Sequence, residues 1–282
     1  MNIFPIHTGN FKLDGGAMFG VVPKGIWNKT NPADANNLCS WAMRCLLIED
    51  GNKLILIDNG IGDKQDAKFM GHYYLHGDDT LDKSLATHGF QRDDITDTFL
   101  THLHFDHCGG SIKREGELLV PAFKNAVYWS NEQHWEWATQ PNDREKASFL
   151  KENILPIKES GQLQFFPANN LPFAGEVTLP FSVITVNGHT DAMMLPKLNY
   201  KGRTIIYMAD LLPSVGHIPL PYIMAYDTRP LITLAEKKAF LEEAIDNNYV
   251  LFFEHDPQFE CCELQQTEKG VRLGKTFRLD EL

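Results

Sequence analysis

Within the stretch "TFLTHLHFDHCGG", Thr98 to Gly110, three histidines and an aspartate fall inside six positions: His102, His104, Asp106 and His107. Imidazole and carboxylate are the donors that suit zinc-like divalent ions. Four such side chains cannot converge from one regular element. A strand would point His102, His104 and Asp106 to one face and His107 to the other. A strand that ends near Thr101 and turns tightly into a helix lets all four meet, and Gly109 and Gly110 permit close backbone approach or unusual φ just there. A histidine-rich surface loop is the bland alternative, and donors further along the chain argue against it. His189 in "TVNGHTD", Asp210 in "IIYMAD" and His255 in "LFFEHD" each follow an apolar β-like run, which places each at the C-terminal edge of a strand. Singly, each reads as an ordinary loop residue. With the cluster they supply five imidazoles and two carboxylates, enough for two ions.

The elements that must carry these residues are legible around them. "CSWAMRCLLIED" and "NKLILIDNG" are apolar runs split by Asp50-Gly51-Asn52 and read as a hairpin. "TLDKSLATHGF" reads as a short helix closed by Gly89, followed by a loop entering the strand before the cluster. A helical pattern covers Asn131 to Ile157, with Trp135, Trp137, Phe149 and Leu150 as packing residues. "FSVITVNGH" reads as a strand, "AMMLPKL" and "RTIIYMAD" as a hairpin around Asn199 to Gly202, and Leu231 to Asn247 as an amphipathic helix before the buried strand "YVLFFEHD". That order, without linker or short repeat, predicts two sheets packed face to face with helices outside, in one domain spanning 1–282 with a helical insert near 131–157.

Composition sets the outer limits. The 282 residues are 43% hydrophobic and 22% charged, ordinary for a globular chain, and the formal net charge is −11. That balance argues against nucleic acid or an anionic membrane as a partner and favours a small-molecule substrate. No basic-then-apolar leader and no apolar run of about 18 residues is present, and the five cysteines form no framework spacing. Reduced thiols in the cytoplasm are therefore expected. A homodimer is left open. His7, His72, His76, His88 and His134 are lone histidines, read as surface or internally satisfied.

"THLHFDH" resembles the His-x-His-x-Asp-His signature of the metallo-β-lactamase superfamily, and His189, Asp210 and His255 match that family's remaining ligand positions in order. The resemblance runs from about Leu38 to Pro257. It implies a four-layer αβ/βα sandwich and two divalent ions, zinc first, with Mn, Fe or Co admitted. By family pattern His102, His104 and His189 bind one ion, Asp106, His107 and His255 the other, and Asp210 bridges them. Asp58, ending "LILIDNG", resembles the family aspartate that orients a ligand histidine from behind. Two dications about 3.5–4 Å apart can share a water, bring its pKa toward roughly 7 and generate a hydroxide nucleophile. Asp106 and Asp210 are thereby implicated in catalysis. Cys108 fits a structural slot better than a ligand position.

The superfamily hosts several reactions. Retention of His104 favours hydrolysis over the redox branch, and the acidic balance disfavours nucleases. Glyoxalase II-like thioesterases add a basic helical C-terminal domain, whereas this chain ends in strand-like "CCELQQTEKGVRLGKTFRL". "FKLDGGAMFGVVPKGIW" and "MADLLPSVGHIPLPYIMAYDTRP" resemble the N-acyl-homoserine lactonase and methyl parathion hydrolase branch. One departure stands out. Pro213 occupies the position where the lactonases of that branch carry a substrate-binding tyrosine, and His217, Tyr222 and Tyr226 are the candidates to replace it. Met18, Phe19 and Trp27, in a glycine-flanked loop, either line an acyl-chain pocket or pack the core. The expected activity is opening of lactones (N-acyl-homoserine lactone-like, quorum quenching) or cleavage of related esters, with phosphotriester or thioester hydrolysis as the alternative. A silent scaffold is disfavoured because all seven ligand positions are kept, and no Gly-x-Ser-x-Gly nucleophile is present.

Overall fold

The computed structural model describes residues 1–166 and 179–282. The chain divides into two compact units: Met1–Gly9, Met43–Pro180 and Ala192–Met194 form the first, and Asn10–Ala42, Phe181–Asp191 and Leu195–Leu282 the second. The strands, in chain order, are β1 (Asn2–Asp14), β2 (Leu38–Asp50), β3 (Lys53–Ile57), β4 (Asp97–Phe99), β5 (Ile112–Glu115), β6 (Leu118–Pro121) and β7 (Val127–Ser130). They continue as β8 (Leu163–Phe165), β9 (Phe181–Val186), β10 (Met193–Tyr200), β11 (Arg203–Tyr207), β12 (Val250–Phe252), β13 (Cys261–Thr267) and β14 (Gly270–Phe277). One six-stranded sheet has the order β1-β2-β3-β4-β7-β8, a second β14-β13-β12-β11-β10-β9, and β5 with β6 forms a separate hairpin.

In the first unit the predicted hairpin is present: β2 and β3 pair antiparallel through Asp50↔Lys53, and Gly51 at the turn has φ 60, a conformation glycine adopts without steric cost. The helix Leu81–Thr87 starts at Thr80, whose hydroxyl accepts from Lys83 N–H. It ends at Gly89, φ 84. This helix carries the chain from β3 to β4, which lie parallel with Ile57 beside Phe99. β7 continues the parallel run, with Phe99 beside Trp129. Runs such as "LILI" suit parallel strands buried on both faces. Ile6, Leu47, Leu56, Leu100, Phe123 and Tyr128 belong to the core of this unit. The expected continuous helical insert is instead two helices, Glu132–Thr139 and Lys151–Glu159. Pro141 explains the break, because its ring removes an N–H and disfavours a helical Gln140.

In the second unit β10 and β11 form the predicted hairpin through Tyr200↔Arg203, with Lys201 and Gly202 both at positive φ. Two positive φ values match the hand of the strand twist in a two-residue turn. The helix Pro230–Asp246 buries Thr233, Lys237, Phe240, Leu241 and Ala244, one stripe at helical spacing. It returns the chain to β12, which lies parallel to β11 with Tyr207 beside Phe252.

Each unit therefore contains a parallel strand pair whose C-terminal ends lead straight into donor residues. Asp58 and His102 follow β3 and β4, and Asp210 and His255 follow β11 and β12. Carboxyl ends of parallel strands are where α/β sheets place ligands. No helix among the described residues is long and apolar enough to cross a membrane.

Candidate metal centre

In the first unit the chain leaves β4, passes Thr101 and enters a one-turn helix, Phe105–Cys108, as the spacing predicted. His102 and His107 are fully buried, and His104 and Asp106 nearly so. The glycines serve by close approach rather than by unusual φ. A Cβ on Gly109 would meet Ile61 O at 2.1 Å and one on Gly110 would meet Asn59 O at 2.2 Å. His102 Nε2 and His104 Nδ1 lie 3.1 Å apart, and Asp106 Oδ2 is 3.9 Å from His107 Nε2.

The outer nitrogens of these rings fix their tautomers. Asp58, buried and at φ 55, accepts from Thr101 N–H at 2.8 Å and from the Thr101 hydroxyl at 2.7 Å. It also meets His107 Nδ1 at 3.1 Å. Because the hydroxyl proton goes to Asp58, Thr101 Oγ1 must accept from His102 Nδ1–H, 3.0 Å away. His104 donates through Nε2 to Glu145 Oε1 at 3.0 Å. A neutral imidazole has one N–H, so His102 Nε2 and His104 Nδ1 turn lone pairs toward one another. That pair is repulsive unless they share a cation. The Cys108 thiol donates to Leu103 O at 3.3 Å. Burial pushes its pKa up to about 12, so it stays protonated and structural.

In the second unit Asp210 sits between two histidines. His189 Nε2 is 3.1 Å from its Oδ2, and His255 Nε2 is 3.1 Å from its Oδ1. Again the far nitrogens are held: His189 Nδ1 by Asp227 at 2.9 Å and His255 Nδ1 by Ala42 O at 2.8 Å. Burial opposes a charge on His189, but Asp210 and Asp227 outweigh it and raise the pKa to about 10. A ring with a carboxylate at each nitrogen requires a shared proton or a metal ion in that position. The donor chemistry of both units thus fits divalent cations. Ala192 and Ala209, close in sequence to His189 and Asp210, also have positive φ, strain of the kind that collects at functional sites.

The remaining candidates behave differently. His217 is buried, with Nδ1 on Ser214 Oγ and Nε2 donating to Met18 O, both at 2.9 Å. Burial lowers its pKa to about 3. Both nitrogens being committed inside the unit, His217 is not placed to donate to a substrate carbonyl, which corrects that expectation. Tyr222 is half-buried with its ring edge-on to Phe19, while Tyr226 is 41% exposed. Met18, Phe19 and Trp27 are at most 2% exposed, and Phe19 stacks on Trp27 at 5.3 Å and on His217 at 4.4 Å. Interior packing, rather than an open acyl-chain wall, is the reading their burial matches. His134 is internally satisfied, its Nε2 accepting from Leu103 N–H at 2.8 Å. Sequence reasoning missed Glu145 and Asp227. "PNDREK" reads as an exposed charged stretch and "YDTRP" as a turn, so neither carries a local signal.

Comparison with known proteins agrees with this geometry. By sequence, no curated protein matches the chain. A probable metal-dependent hydrolase from Staphylococcus aureus superposes with TM-score 0.87 at 26% identity, over 100% of this chain and 98% of that one. AidC, a dizinc quorum-quenching lactonase, gives TM-score 0.78 at 22% identity over 98% and 95%. A quorum-quenching N-acyl homoserine lactone lactonase gives 0.68 at 19% over 91% and 92%. The model of the metallo-beta-lactamase superfamily matches residues 44–255, a span that includes all seven donor positions. With the fold, the donors and this match in agreement, the chain belongs to the metallo-β-lactamase superfamily, as a metal-binding hydrolase with that superfamily's α/β fold.

Proposed function

We propose that the two donor sets act as one site for two zinc ions, and that the protein uses it to open lactones of the N-acyl-homoserine lactone kind or to cleave closely related esters. His102, His104 and His189 take one ion, Asp106, His107 and His255 the other, and Asp210 serves both. One observation carries this reading. All five histidines commit the outer nitrogen to an oxygen acceptor, Thr101, Glu145, Asp58, Asp227 or Ala42, and so dedicate the other nitrogen to a cation. When bound, two such ions supply an acidic water and a Lewis acid for the carbonyl oxygen. The chain's own part is to hold every donor in a single tautomer, through partners that are themselves fixed. Lactones are favoured because two of the similar structures are quorum-quenching lactonases, and the net charge of −11 suits an uncharged substrate.

The test is a panel of acyl-homoserine lactones, aryl esters, thioesters, phosphotriesters and β-lactams with zinc-loaded enzyme. Lactones should give the highest kcat/KM, and hydrolysis in ¹⁸O-water should label the product acid. Turnover confined to phosphotriesters or β-lactams would overturn the substrate assignment.

A further inference from the structure

The first insert helix and the segment that follows it grip three consecutive residues of the histidine motif. Leu103 N–H donates to His134 Nε2 at 2.8 Å, His104 Nε2–H to Glu145 Oε1 at 3.0 Å, and Phe105 N–H to Ser148 O at 3.0 Å. Glu145 is 4% exposed, and its second oxygen accepts from Trp137 Nε1–H at 2.7 Å and Asn142 Nδ2–H at 3.2 Å. Asn142 Oδ1 in turn accepts Glu145 N–H at 3.1 Å. The carboxylate is therefore held from two sides before it meets the histidine.

We propose that Glu145 is a positioning residue for His104: it selects the tautomer protonated on Nε2, dedicates Nδ1 to the metal and strengthens it as a donor. This rests on the two-ion reading above. A carboxylate only accepts, so the nitrogen facing it must carry the proton. A carboxylate behind a ligand histidine also raises that ligand's basicity. Glutamine cannot substitute. Three N–H groups, from His104, Trp137 and Asn142, converge on the two oxygens, whereas an amide offers one oxygen and one NH₂. Turning the oxygen to Trp137 and Asn142 satisfies two donors and sends the NH₂ toward His104 Nε2. The ring then accepts there, and its proton moves to Nδ1, the nitrogen that faces His102.

The experiment reads the ring directly. In the metal-free full chain, at a pH where the imidazole is neutral, ¹⁵N spectra of the histidines should show His104 protonated on Nε2. Glu145→Gln should move that proton to Nδ1. A two-step zinc titration of the same proteins should show one step weakened by about 10–100-fold, the usual effect of losing a ligand's partner, and the other unchanged. Trp137→Phe leaves the carboxylate on His104 while loosening the insert, so it should keep the wild-type tautomer and bind both ions within a few fold. Retention of the Nε2 proton and of both affinities in Glu145→Gln overturns the proposal. So does a Trp137→Phe variant that weakens the same step equally, which would assign the effect to packing of the insert. A wild type that binds no zinc, with the tautomer still switching on substitution, upholds the role of Glu145 toward His104 and overturns the two-ion reading instead.

Discussion

His102, His104, Asp106 and His107 come from one turn of chain, whereas His189, Asp210 and His255 come from the ends of three strands separated by whole elements. In the first unit the geometry is set locally. A strand end, a one-turn helix and the close approach at Gly109 and Gly110 force four side chains together, and Asp58 and Glu145 lock their rings from outside. In the second unit nothing local brings the donors together. The pairing of β11 with β12 brings His255 to Asp210, His189 comes from the end of β9 two places away in the same sheet, and Asp210 is the residue on which both histidines converge. The first set is thus supported by many weaker props and the second by one central carboxylate. Loss of a prop should weaken the first set by degrees, while loss of Asp210 should dismantle the second.

The largest effect should follow from Asp210→Ala. At least one ion should be lost and turnover should fall by more than about 10²-fold, beyond the range seen when only a partner of a ligand is removed. Elemental analysis and steady-state kinetics check this, and full metal content with normal turnover would break the comparison. Next come the outer carboxylates, each worth about 10–100-fold in metal affinity. Asp58→Ala should cost more than Asp227→Ala. Asp58 holds His107 directly and His102 through Thr101, whereas Asp227 meets His189. Zinc competition titrations that rank them the other way would mean that the second unit depends on its props more than the first.

Smaller effects separate architecture from chemistry. His217→Phe should lower stability by about 1–3 kcal/mol, the cost of leaving a buried polar group unsatisfied, with turnover within a few fold. A stable variant slowed by about 10²-fold would return His217 to the oxyanion. The smallest effect contrasts one buried lysine in each unit. Burial lowers Lys64 from 10.5 to about 8 and Lys237 to about 7, where its Nζ donates to Pro219 O and Tyr222 O. The unfolded chain keeps these protons to higher pH, so each lysine's contribution to stability is full above about 10.5 and is lost as pH falls through its folded value. Urea midpoints of Lys64→Met and Lys237→Met, taken as differences from wild type between pH 6.5 and 10, should show the Lys237 step lying lower. Flat differences would contradict the assigned burial.

How much of this was legible in the sequence follows the same division. Turn chemistry gave away the hairpins at Gly51 and at Lys201-Gly202 and the helix closed by Gly89, because in each a few adjacent residues decide the backbone. The histidine motif was legible for the same reason. The β5–β6 hairpin was not, since "IKREGELLVP" gathers its charged residues in the first six positions and lacks clear alternation. The break in the insert depended on one proline. Glu145 and Asp227 were invisible because each matters through a histidine about 40 residues away in sequence, and no spacing rule encodes such a pair. The positive φ of Ala192 and Ala209 was equally hidden, because alanine does not announce a left-handed backbone.

The central claim is that the two donor sets act together on two ions. Anomalous diffraction from crystals of the full chain loaded with zinc tests it most directly. The account predicts two peaks per chain, one on His102, His104 and His189 and one on Asp106, His107 and His255, with Asp210 touching both. A single peak confined to one unit, or no peak at these residues in a folded protein, would contradict it.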